Sequence, residues 1–128
     1  MEQQLMVVDA ANVVGSRPDG WWRDRPAAVR RLITALARGL RSGEDVMVVI
    51  EGAARAGVEA GILGGIQVVH ARGPADDEIV RIVAAAAADE DRPITVVTAD
   101  RQLRERVSAL GARVIGPGSL WDRLDAGS

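Results

Sequence analysis

The sequence predicts a three-layer α/β/α fold around a central, mostly parallel sheet of about five strands. Three observations carry that prediction. Short β-branched runs are apolar almost without interruption, as strands covered on both faces must be. Segments with helical apolar spacing separate them, so strand and helix alternate along the chain. Acidic residues come after most of the runs, on the side where such sheets place their crevice.

The first run, Leu5–Val8, ends at Asp9. A helix is expected from Pro26 to Leu40, with Val29, Leu32, Ile33, Leu36 and Leu40 on one face and Arg30, Arg31, Arg38 and Arg41 on the other. Pro26 suits its start, and Gly43 is expected to end the segment. The second run is Val46–Ile50, with Glu51 next. Gly52–Gly65 contains Gly52, Gly57, Gly61, Gly64 and Gly65, and reads as a loop with room for one helical turn. Ile66–Val69 is the third run. Asp76–Ala88 is the next helix, with Ile79, Val80, Ile82 and Val83 inward. The fourth run, Ile94–Thr98, has Asp100 two positions on. Arg101–Leu110 forms a helix through Leu103, Val107 and Leu110, closed by Gly111. A short fifth run, Arg113–Ile115, precedes a last helix over Ser119–Leu124, anchored by Leu120, Trp121 and Leu124.

The 128 residues, 48% of them hydrophobic, are enough for one core, so residues 1–128 read as one domain. Cysteine is absent, which excludes disulfides and thiolate zinc sites. Met1–Gln4 shows neither the basic segment nor the apolar stretch of a signal peptide. No apolar run approaches the roughly 20 residues of a membrane span. The expectation is a cytoplasmic chain that does not enter a membrane. The net charge is −2, yet all sixteen basic residues are arginine. Arginine's planar fork suits phosphate oxygens, although genomic base composition accounts for the total equally well.

Asp9, Glu51, Asp76 with Asp77, and Asp100 place acids beyond four of the five runs. If the first and fourth strands are neighbours, Asp9 and Asp100 lie about 5 Å apart, the strand spacing. Two bare carboxylates at that distance repel by about 3 kcal/mol at an effective dielectric near 20. A divalent cation would relieve that repulsion, and oxygen-only donors suit Mg²⁺ or Mn²⁺. Helix capping explains Asp76 and Asp100 individually. No helix is expected to begin directly after Asp9 or Glu51, so capping explains those two less well.

These residues resemble the PIN-like nuclease superfamily and, within it, the NYN/YacP-like branch. Val7-Val8-Asp9-Ala10-Ala11-Asn12 is similar to that branch's opening strand with its Asp-x-x-Asn signature. Val48-Val49-Ile50-Glu51-Gly52 resembles the second strand, although the family more often has Asp where Glu51 stands. Ala75-Asp76-Asp77-Glu78-Ile79 and Thr98-Ala99-Asp100-Arg101-Gln102-Leu103 resemble the later acidic motifs, and Gly111–Leu120 the closing strand and helix. The resemblance implies a Rossmann-like three-layer fold and Mg²⁺- or Mn²⁺-dependent hydrolysis of RNA. It implies metal ligation by Asp9, Asp76 and Asp100. Asn12 and Asp77 would support the ion, and Thr98 would orient its water.

Arg17, Arg23 and Arg25 share the loop after the Asp9 motif with Trp21 and Trp22. Indoles beside guanidinium groups can stack bases and hold phosphates, or one indole can plug the core. Arg101, at a helix start, is the leading candidate for a phosphate contact. His70 reads as structural. The expected function is metal-dependent cleavage of RNA. The alternatives are a non-catalytic RNA-binding domain of the same fold and a nucleotide phosphohydrolase. The last ranks low: Ala11 stands where a two-aspartate phosphatase needs its second acid, and Gly15 and Gly20 are too far apart for a phosphate loop. A self-paired homodimer is compatible with the sequence, though no face requires one.

Overall fold

The computed structural model describes residues 3–89 and 91–127. Its strands are β1 (Gln4–Asp9), β2 (Glu44–Ile50), β3 (Gly61–Leu63), β4 (Ile66–His70), β5 (Ile94–Val97) and β6 (Arg113–Ile115). The helices are α1 (Ala10–Gly15), α2 (Arg25–Arg38), α3 (Ala75–Asp89), α4 (Arg101–Ser108) and α5 (Pro117–Ala126), with short 3-10 turns at Trp21–Arg23 and Gly52–Gly57.

The sheet runs β3-β4-β2-β1-β5-β6, parallel except for β3. Strand order reverses at β1: the chain moves outward through β2 and β4, then returns to the other side of β1 with β5. The crevice of a doubly wound sheet opens at such a reversal, beyond the strands' carboxyl ends. Asp9 ends β1 and Thr98 comes directly after β5, so both stand at that opening.

Alternation along β1 divides the core. Met6 and Val8 face α1, α2 and α5 through Val13, Leu32, Leu36 and Leu120. Leu5 and Val7 face α3 and α4 through Ile79, Val83, Leu103 and Val107. Helices thus cover both faces, which is why the runs read as continuously apolar.

Four local features depart from the expectations of the sequence. A helix does begin directly after Asp9, which is the N-cap of α1, and a 3-10 turn begins directly after Glu51. Helix α2 closes at Gly39 rather than near Gly43: the Gly39 N–H makes a last bond to the Ala35 carbonyl, and Leu124 of α5 packs so close that a Cβ at Gly39 would come within 2.6 Å of it. The glycine-rich stretch contains a sixth strand, β3, which pairs antiparallel with β4. Being an edge strand of three exposed residues, it buries no side chain that would give it a pattern.

Gly57 has a packing reason. A Cβ there would come within 2.4 Å of the Pro26 carbonyl oxygen, so only glycine lets the Gly52–Gly57 turn lie against the start of α2. Gly52 adopts φ +62°, a left-handed turn that swings the chain sideways immediately after Glu51.

Candidate active site

The site is built from the reversal point upward. Asp9 is 7% exposed and Thr98 wholly buried, the two buried polar residues among those described. The Thr98 hydroxyl donates to Asp9 Oδ2 at 3.0 Å and accepts the Asp100 N–H at 3.1 Å. Across the same gap the Ala99 N–H donates to Asn12 Oδ1 at 2.7 Å. Asp9 Oδ1 receives the Asn12 N–H at 3.5 Å, a long cap contact. The end of β1 and the chain leaving β5 are therefore tied together at side-chain level, and Asp9, Asn12, Thr98 and Asp100 form one corner. Thr98's proton is committed to Asp9, so this residue positions the carboxylate.

Asp100 is exposed and caps α4, with Oδ1 accepting the Leu103 N–H at 3.0 Å. Glu51 lies half-buried beside the corner, and its Oε2 caps α3 by accepting the Ala75 N–H at 2.9 Å. Asp100 Oδ2 and Glu51 Oε1 accept no hydrogen bond among the described residues. Burial pushes the Asp9 carboxyl up from 3.8 to about 6; the Glu51 and Asp100 charges push the same way, against the lowering hydrogen bonds from Thr98 and Asn12. The corner has a surplus of negative charge.

Asp76 and Asp77 are engaged differently. Arg106 of α4 lies 3.0 Å from Asp77 and 3.6 Å from Asp76, and Asp76 Oδ1 also accepts the Asp77 N–H. Among the described residues no three acidic or histidine side chains converge closely enough to hold a metal as they stand. The donor set still fits a hard cation that keeps most of its water, since Mg²⁺ is commonly held by one or two carboxylates plus solvent and substrate oxygens. Asp9 and Asp100, with Glu51 alongside, supply such donors.

Two cavities flank α1 and share Ala11. One, of about 460 Å³, is lined by Val14, Trp21, Arg25, Glu51, Arg55 and Arg72 among others. The other, of about 620 Å³, lies against Asn12, Arg17, Ala99, Trp121 and Asp122. Of the loop residues expected to meet substrate, Trp21 and Arg25 line the first cavity, with the Arg25 guanidinium 5.5 Å from the Trp21 ring centre. Trp21 also packs against the core. Trp22 is half exposed beneath Arg23 and lines neither cavity. Arg17 faces the second cavity but is spent on α5: it pairs with Asp125 at 2.5 Å and lies 3.8 Å over Trp121. The Trp121 indole N–H donates to the Val13 carbonyl. Arg101 is exposed beside Asp100. His70 bonds the Val58 carbonyl at 2.7 Å.

Arg55 and Arg72 are cavity residues that the carboxylate pattern does not reveal. Their signal is the same as that of the acids, a place just beyond the carboxyl end of a strand. Arg55 lies five residues past β2 and Arg72 two past β4, and a search of those ends for cations as well as acids finds both.

Two solved structures share this architecture. The crystal structure of Rae1 (YacP) from Bacillus subtilis superposes with a TM-score of 0.78 at 20% identity, covering 96% of this chain and 74% of that one. Its W164L mutant gives 0.77 at 20% identity, covering 96% and 75%. No curated protein matches the chain in sequence. With acids gathered at the reversal of a mostly parallel sheet, the class is the PIN-like nuclease fold. The chain belongs to the YacP-like NYN domain family, whose model matches residues 6–128. Among the described residues no helix is long and apolar enough to cross a membrane.

Proposed function

We propose that this chain hydrolyses RNA phosphodiester bonds with Mg²⁺ or Mn²⁺ held by Asp9 and Asp100, Glu51 contributing its charge. The observation that carries the reading is the state of Asp9: a buried carboxylate at the sheet's reversal point, raised to about 6 with two further acids acting on it. Such a group stays ionised at neutral pH at the cost of its lost solvation and against two like charges, and a doubly charged ion would offset both. The cation, when bound, would polarise a phosphoryl oxygen and lower the pKa of a bound water.

The chain's own residues do the positioning. Thr98 holds Asp9 Oδ2, and Asn12 holds the backbone that carries Asp100. Arg101, at the start of α4, reaches for a phosphate oxygen. Asp76 joins the ion only by leaving Arg106, a small cost for an exposed pair worth under about 1 kcal/mol. RNA cleavage by the purified protein with Mg²⁺ or Mn²⁺, abolished by chelation and in Asp9→Asn, is the expected result. Wild-type-like cleavage by Asp9→Asn, or none under any divalent ion, removes the reading.

One observation favours a second reading, RNA binding without turnover: Arg106 already pairs with Asp76 and Asp77. RNA binding with no cleavage across divalent ions identifies it.

A further inference from the structure

We propose that the cavity between α1, the Trp21–Arg23 turn and the Gly52–Gly57 turn takes one unpaired nucleotide of the RNA strand, its base inside and its phosphate on Arg55 and Arg72. The inference rests on the nuclease reading for the identity of the strand. The binding site itself stands on separate residues.

Size comes first. At about 460 Å³ the cavity falls within the range of small-molecule sites. Its wall is mixed: Val14, Val29 and Ala54 with Trp21 offer an apolar surface for a base face, and cations stand around it. A base enters such a cavity only when it has left its partner, the usual state in which RNA bases are read.

Charge comes second. Arg25, Arg55 and Arg72 stand there with Glu51 as the one acid, in a chain whose net charge is −2. None of the three arginines pairs with a carboxylate among the described residues. Arg55 is nevertheless fixed: Nε donates to the Gly52 carbonyl at 3.1 Å and Nη1 to the Ala71 carbonyl at 3.3 Å. That leaves Nη2 without an acceptor among the described residues. A guanidinium anchored by backbone carbonyls rather than by an acid keeps its full charge for a ligand. The cavity across α1 provides the contrast, because its Arg17 is neutralised by Asp125.

Position comes third. Glu51 lines the cavity and also acts on Asp9, so the cavity adjoins the carboxylate corner. A strand whose phosphate sits at Asp9 and Asp100 can turn its neighbouring nucleotide into it.

The test uses the metal-free protein, labelled for NMR, titrated with 5′-adenosine and 5′-uridine monophosphate, with the nucleosides, and with inorganic phosphate. The monophosphates are expected to shift the Trp21 indole and Arg55 side-chain signals saturably. Nucleosides should bind more weakly, and phosphate should move Arg55 without Trp21. Arg72→Gln, which breaks no hydrogen bond or ion pair among the described residues, should weaken nucleotide binding by roughly tenfold, the order expected of one charge-assisted hydrogen bond. An unmoved Trp21 signal, or equal affinity in wild type and Arg72→Gln, overturns the proposal. Cleavage assays separate the two readings: loss of cleavage in Asp100→Asn with nucleotide binding intact supports both, whereas no cleavage by the wild-type protein under any divalent ion sinks the nuclease reading and leaves the cavity result standing.

Discussion

The two groups of acids show how differently a fold can treat the same charge. At the α3 start, Asp76 and Asp77 are solvated and share Arg106. At the β1–β5 corner, burial raises the Asp9 pKa, and the Glu51 and Asp100 charges add to the rise. The first group has a counter-charge from within the chain. In the second, Asp9 receives only hydrogen bonds from Thr98 and Asn12, which orient the carboxylate and leave its charge uncompensated. A functional cation belongs where the protein has supplied none of its own.

The largest expected effect breaks the comparison at its strong end. Asp9→Asn and Asp100→Asn should each lower RNA cleavage by about 10³-fold or more, while Asp76→Asn costs about tenfold. Equal losses at Asp9 and Asp76, measured as kcat/KM on one RNA, would erase the distinction between the groups.

Stability sharpens it next. The Asp9 pKa is about 6 folded against 3.8 as the reference value, so between those limits the folded state binds more protons than the unfolded. Stability of the metal-free protein should therefore fall as pH rises from about 4 to 6 and level off above, by up to ~3 kcal/mol from this group. Asp9→Asn should remove that slope and gain about 1–3 kcal/mol at pH 7.5, less whatever the Thr98 bond loses. Denaturant melts across pH measure both. A variant less stable than wild type at pH 7.5 contradicts the electrostatic account.

Arg106→Gln should have a smaller consequence. It releases Asp76 and Asp77 from their counter-charge, and Mn²⁺ affinity should rise by about two- to fivefold, the scale of one exposed ion pair. Calorimetry showing weaker binding would mean Arg106 supports the site. Smallest is Gly52→Ala: at φ +62° it should cost about 1 kcal/mol of stability. Its nucleotide binding should also weaken, because relaxing the left-handed turn would move the Gly52 carbonyl that holds Arg55.

Much of this is legible in the sequence. Continuous apolar runs separated by amphipathic helices dictate a parallel sheet covered on both faces. The rule for carboxyl ends then picks Asp9 and Asp100. The remainder depends on packing between distant segments. Arg106 meets Asp77 only because α3 and α4 lie side by side, and no spacing encodes that. Glu51 caps a helix 24 positions away through Ala75. β3 has no buried face to give it a period, and α1 is only six residues long, shorter than a reliable helical pattern. Arg55 and Arg72 lie 17 positions apart and belong to no spacing pattern; their meaning comes from the cavity they share.

The most direct measurement is Mn²⁺ titration of the isotopically labelled protein, mapping where paramagnetic broadening begins. Broadening centred on Asn12, Ala99 and Asp100, and lost in Asp9→Asn, is the predicted result. Broadening centred on Asp76, Asp77 and Glu78, or spread without saturation over the surface acids, would contradict it.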